Sequence, residues 1–231
     1  QSMMPALVNT LVMTLLSRLI AVPIGVCAAI YMVEYAKRGN KLVKLVRLTA
    51  ETLQGIPSIV YGIFGYVCFN VALHCGFSML AGALTLSIMI LPLILRTTEE
   101  ALMAVPDSYR EGSFGLGAGK LRTVFRIVLP SAMPGVLAGV ILAIGRIVGE
   151  SAALIYTSGS GTGNLSFIKN GAFSLAAPLF QSTRTLSVHM YALMSEGLYT
   201  DQAHATAVIL MVLVIGLNAL SSFAAKKLTK Q

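Results

Sequence analysis

Tryptophan is absent from the 231 residues, cysteine occurs three times, and charged side chains make up only 11% of the chain. Each shortage excludes something. Soluble domains carry about 25% charged residues, and a chain with less than half of that cannot cover a water-facing surface. A soluble helical protein is set aside on that ground. Cys27, Cys68 and Cys75 form neither a metal-ligand spacing nor an even-numbered disulfide framework. Cys27 and Cys68 fall inside apolar runs and read as small packing residues. Without tryptophan, an interfacial belt has to use tyrosine. Tyr31, Tyr35, Tyr61, Tyr66, Tyr156 and Tyr191 lie near predicted span ends or in linkers. The net charge of +8 does not point to nucleic acid, because no basic patch is interleaved with aromatics.

Apolar residues are abundant: 56% of the chain, with a mean hydropathy of +0.80. A bilayer core needs about 20 apolar residues per helix. Five stretches qualify, at about 7–33, 56–72, 79–95, 132–157 and 205–225. Pro23 and Pro92 are expected kinks. Lys37, Arg38, Lys41, Lys44 and Arg47 follow the first run. Arg96, Arg110, Lys120, Arg122 and Arg126 follow the third. Lys226, Lys227 and Lys230 follow the fifth. Lys/Arg bias makes these regions cytoplasmic, including the C-terminus. The outer linker 158–204 has only Lys169 and Arg184. An odd number of spans results, so an N-terminal span is expected to be missing. The basic, partly amphipathic stretch Lys41 to Gln54 is expected along the inner leaflet.

The linker 96–130 is too polar to span. Asp107 or Ser108 is placed to cap a short helix. Phe114 and Leu116 offer apolar knobs, and Gly115, Gly117 and Gly119 would end the helix. Gly119-Lys120 fails as a phosphate loop. Phe114 stands where the first glycine should be, and Leu121 stands where Ser or Thr should follow the lysine. The chain therefore has no visible ATP site and no expected cofactor of its own.

Arg146 and Glu150 lie inside the fourth apolar run. A charge at that depth costs roughly 2.5–3.5 kcal/mol, and an i,i+4 pair offsets part of it. At 100° per residue, Gly135, Gly139, Leu142, Arg146, Glu150 and Ala153 share one helix face. Gly135–Gly139 and Gly145–Gly149 are close-packing patterns. Such a face suits a partner helix or an aqueous path, with a structural ion pair as the plain alternative. Arg18 is a second buried cation with no evident partner. Arg96 and Glu100 read as a helix-end ion pair. His189 and His204 are assigned no chemistry, and Thr185 to Gly197 is a possible short outer helix.

Glu111-Gly112-Ser113-Phe114-Gly115-Leu116-Gly117, followed by Ile127-Val128-Leu129-Pro130, resembles the "EAA" loop of ABC-importer permeases. The spacing matches in full, although the two alanines after the glutamate are Gly112 and Ser113 here. "RIVGESAALIYTSG", "GIPSIVYGIFGY", "PLILRTTEEALMAVP" and "YMVEYAKRG" resemble the phosphate-specific permeases, above all their A-type subunit. The resemblance implies an all-α polytopic bundle of the type I importer, MetI-like kind. It implies that Glu111, Gly112, Ser113, Phe114, Leu116 and Gly117 dock a separate ATPase. It further implies that Arg146, Glu150 and Arg18 face phosphate. Implied partners are a sister permease, two ATPase subunits that use the ATP, an extracytoplasmic phosphate-binding protein and membrane lipid. The implied location is a prokaryotic cytoplasmic membrane, and the protein is not itself an enzyme. From the residues alone, two alternatives stay open. One is a permease for another oxyanion or small solute; the other is an ATP-independent channel or secondary transporter.

Overall fold

The first apolar run forms helix α1, Met4–Ile30, which ends in one π-helical turn, Tyr31–Tyr35. Its hydroxyl residues are satisfied locally. Thr10, Thr14 and Ser17 donate to the carbonyl oxygens of Ala6, Thr10 and Met13 at 2.7, 2.7 and 2.8 Å. This back-bonding lets polar side chains be buried without an orphan donor. The computed structural model describes residues 3–37, 39–161, 168–169, 172–173, 177–197 and 199–229. Arg38, Lys230 and, within the expected irregular stretch 158–170, residues 162–167 and 170 lie outside the described residues.

Helix α2, Lys41–Gln54, starts where the Asn40 side chain accepts from the Leu42 amide at 2.9 Å, an N-cap that fills one orphan donor. Val43 and Ala50 are buried with Met32 and Leu95, while Leu42, Leu45 and Leu48 are exposed. Helix α3, Ser58–Gly65, continues as a π-helical segment, Tyr66–Ala72. Together they reach about 22 Å at 1.5 Å per residue, short of the ~30 Å hydrocarbon core. The expected second span therefore qualifies as crossing only when taken with α2.

Helix α4 is Met79–Met103, and α5 is the short Asp107–Gly115. Helix α6, Lys120–Thr123, runs through a π turn at Val124–Val128 into α7, Leu129–Gly149. Four stretches are long and apolar enough to cross a bilayer: Met4–Tyr35, Met79–Met103, Lys120–Gly149 and Thr200–Phe223. The expected fourth span, 132–157, is interrupted. Glu150 and Ser151 are not helical, and a separate helix α8 covers Ala152–Thr157. A two-residue antiparallel hairpin pairs Ile168 with Phe173 and Lys169 with Ala172. Helices α9, Leu186–Glu196, and α10, Thr200–Thr229, follow. On α10, Val208, Met211, Val212 and Ile215 are exposed, as suits a helix facing lipid or another chain.

The chain divides into two compact units. The first comprises Gln1–Ile20, Ile56–Met89 and Ile144–Leu217; the second comprises Ala21–Gly55, Ile90–Ala143 and Asn218–Gln231. In the first, Met13, Met79, Leu86, Met89, Leu154, Leu186 and Leu193 are fully buried. There α3 meets α8 almost backbone to backbone: a Cβ on Gly62 would lie 2.8 Å from Ala153 Cα. The core of the second unit is Ala29, Ile30, Leu102, Val105, Val124, Val128, Ala132 and Val136. Gly135 and Gly139 pack on Ala101 and Thr97 of α4. The other proposed close-packing pattern ends in open space, since nothing lies within 4 Å of a Cβ on Gly149. Cys27, expected to pack, is exposed.

Candidate functional site

In the first unit the site is built around the break after α7. Arg146 is half-buried in the last turn of that helix, where the unfilled carbonyls favour a cation. The expected partnership with Glu150 does not form. Because α7 stops at Gly149, Glu150 leaves the helix, and the i,i+4 geometry is lost. Glu150 Oε1 instead accepts the Ala153 amide at 3.1 Å, capping α8. Its own amide donates to Ile147 O at 3.1 Å, and its carbonyl oxygen accepts from Ser187 Oγ at 2.6 Å. Among the described residues Arg146 has no carboxylate partner. Arg18, half-buried on α1, has none either.

Tyr61 was expected in an interfacial belt. It is buried at 4% exposure on α3, within electrostatic reach of Arg146. Its tight placement follows from Gly62, which lets α3 approach α8. Sequence reasoning also missed how firmly α9 is tied to this region. Thr185 caps α9 at Val188 N, 3.4 Å. The Leu186 amide donates to Thr10 Oγ1 at 2.8 Å, and Asn9 Nδ2 donates to Arg184 O at 3.2 Å. With the Ser187 bond, the start of α9 is joined both to α1 and to the backbone of Glu150. The Thr-Leu-Ser start of α9 was the available signal. His189, buried at the same end, contacts the Arg184 guanidinium at 3.3 Å.

In the second unit the polar linker presents α5. Asp107 does not cap it: Pro106 occupies that position without a side-chain bond, and the Asp107 carboxylate goes to Arg110 at 3.2 Å. The C-terminal end is a Schellman closure. Ala118 N donates to Ser113 O at 3.1 Å, and Gly117 N donates to Phe114 O at 2.9 Å, with Gly117 at φ +80, where glycine is favoured. Glu111, Gly112, Phe114, Leu116 and Gly117 are exposed, Leu116 at 90%. Ser113 is not. It is buried, and its Oγ lies 2.8 Å from Thr123 Oγ1, holding α5 to α6. Ser113 therefore leaves the outward docking set.

Arg110 was read only as a topology-setting charge. It lies between α5 and two longer helices and is 15% exposed. Nε and Nη2 donate to Glu34 Oε1 at 3.1 and 2.8 Å. Nη1 donates to Val105 O at 2.7 Å and Asp107 Oδ1 at 3.2 Å, and Nη2 to Leu102 O at 2.9 Å. All five N–H donors of the guanidinium are thus engaged. Two other pairs tie α2 to α4: Arg47 with the buried Glu99, and Arg96 with Glu51 at 3.6 Å. Arg96 also meets Glu100 at 3.0 Å, as their spacing predicts.

Known proteins resemble this chain over most of its length. "Probable ABC transporter permease protein YqgI" of Bacillus subtilis is 36% identical over 232 residues, covering 96% of this chain and 79% of that protein. "Phosphate transport system permease protein PstA 1" of Mycobacterium tuberculosis is 40% identical over 154 residues, 67% of this chain and 50% of that protein. Among solved structures, the inward-facing MetNI methionine ABC transporter superposes with a TM-score of 0.70. At 19% identity, the superposition covers 98% of this chain and 94% of that one, and the likeness shows a shared fold. The family model described as "Binding-protein-dependent transport system inner membrane component" matches residues 21–230, and the chain belongs to that family.

Proposed function

We propose that the protein is the membrane subunit of a PstA-type, ATP-driven phosphate importer. It is a multi-pass inner-membrane permease, and the ATP chemistry belongs to a separate subunit. The observation that carries the phosphate reading is Arg146: a half-buried guanidinium at a helix break in an apolar span, with its expected carboxylate partner turned away to cap α8. An unpaired planar fork of donors suits a tetrahedral oxyanion. The likeness to phosphate permeases at 40% identity supports phosphate as that anion. Glu150 Oε1 is taken by the α8 cap, and Oε2 is the atom we assign to the proton that phosphate retains near neutral pH. Arg18 supplies a second positive charge on α1. Partners under this reading are a sister permease, two ATPase subunits and a phosphate-binding protein outside. The Lys/Arg-rich ends, including the C-terminus, then lie in the cytoplasm, and Glu111, Phe114 and Leu116 on α5 meet the ATPase.

The test is phosphate uptake by the assembled importer carrying Arg146→Gln. A hydrogen bond to a charged group contributes about 1.5–3 kcal/mol, so uptake at limiting phosphate should fall by roughly 10- to 100-fold. Wild-type uptake with an intact complex would reject the assignment.

A further inference from the structure

We infer that Arg110 is a positioning residue: it holds the docking helix rigidly to the ends of α1 and α4, so that movement of α5 is delivered to both. This rests on the reading of α5 as the ATPase-docking element. The geometry is specific. Helices leave their last carbonyls without intrahelical donors, and Arg110 reaches across from α5 to fill two of them at the end of α4, Leu102 O and Val105 O. The same guanidinium grips Glu34, which sits in the π turn closing α1 and is 8% exposed. One side chain therefore bonds three elements at once: its own helix through Asp107, α4 through backbone, and α1 through a carboxylate.

The arrangement differs from a surface ion pair in ways that matter. Exposed pairs hold their side chains loosely and contribute little. Here the fork is fixed by five bonds in a mostly buried setting. A lysine at this position would keep the charge but offers three donors on a flexible stem, and it cannot hold both carbonyls and the carboxylate in one plane. By contrast, the outward residues Phe114 and Leu116 remain available for contact whatever happens at Arg110. Docking and transmission are thus assigned to different residues of one nine-residue helix.

The experiment uses the complete importer with its binding protein in proteoliposomes and reads phosphate moved per ATP hydrolysed, along with ATPase recovery and melting temperature. Wild type must first recover the ATPase; if it does not, the docking reading itself fails before any variant is considered. Arg110→Lys is expected to recover the ATPase and keep hydrolysis within about twofold of wild type, while phosphate per ATP falls at least fivefold. Glu34→Gln, which keeps an acceptor but loses the charge, should lower the ratio about twofold. A merely structural role would lower melting temperature and yield and leave the ratio unchanged, and that result in an assembled complex overturns the inference. If Arg110→Lys does not assemble, Glu34→Gln decides: a reduced ratio supports the inference and a wild-type ratio rejects it.

Discussion

Replacing Gly62 with alanine sets two known effects against each other. Alanine is the better helix former by about 1 kcal/mol, and Gly62 lies inside α3. The added Cβ, however, would sit 2.8 Å from Ala153 Cα and 3.1 Å from Ala153 O. Both are backbone atoms and no rotamer change removes them. Reaching ordinary contact near 3.4 Å requires α3 and α8 to separate by about 0.6 Å. Overpacking of this kind costs about 1–3 kcal/mol. The net expectation is a loss of about 1 kcal/mol, and at most about 2. For a chain of this size each kcal/mol lowers Tm by about 2–4 °C, so thermal melting of the purified complex should drop by roughly 2–8 °C. Adding Ala153→Gly should not restore it, because the clash is with Cα and O and not with the methyl. An unchanged or raised Tm for Gly62→Ala, or rescue by Ala153→Gly, would refute the backbone-contact reasoning.

The same substitution should have the opposite sign at Gly112, where nothing lies within 4 Å of an added Cβ. There Gly112→Ala should raise stability by up to about 1 kcal/mol, measured as a higher Tm with unchanged ATPase recovery. At the helix break, Glu150→Ala removes the cap of α8 and should cost about 0.5–2 kcal/mol. Glu150→Gln keeps an acceptor for the Ala153 amide and should melt near wild type. Equal losses for the two would instead favour a charge pair with Arg146.

The long apolar runs were legible because membrane insertion is decided by composition over about 20 residues, and that is a local property. The docking loop was legible because its glycines act locally: Gly117 closes α5 at a left-handed φ, as glycine spacing implies. What failed depended on tertiary partners or on extending a period too far. Carrying 100° per residue through Glu150 paired it with Arg146, yet Gly149 and Ser151 on either side were stop and start signals that the apolar pattern obscured. Tyr61 looked interfacial because its burial comes from Gly62 meeting Ala153, ninety-one positions later in the chain. Arg110 counted as one more cytoplasmic charge, since nothing in its neighbourhood names Glu34, which lies 76 residues away.

The π turn at Val124–Val128 bears on chain length. Such a turn holds one residue more than a regular α-helix needs, so it acts as a built-in insertion between the docking segment and α7. Deleting that surplus residue would rotate everything after it by about 100°. Val136 and Val140 would then take the places of Gly135 and Gly139, facing Ala101 and Thr97, where only a hydrogen now fits. The interval from Gly117 to the Ile-Val-Leu-Pro sequence is thus a rotational register. It sets which face of α7 meets α4, and one residue more or less would spoil that match even if docking itself were untouched.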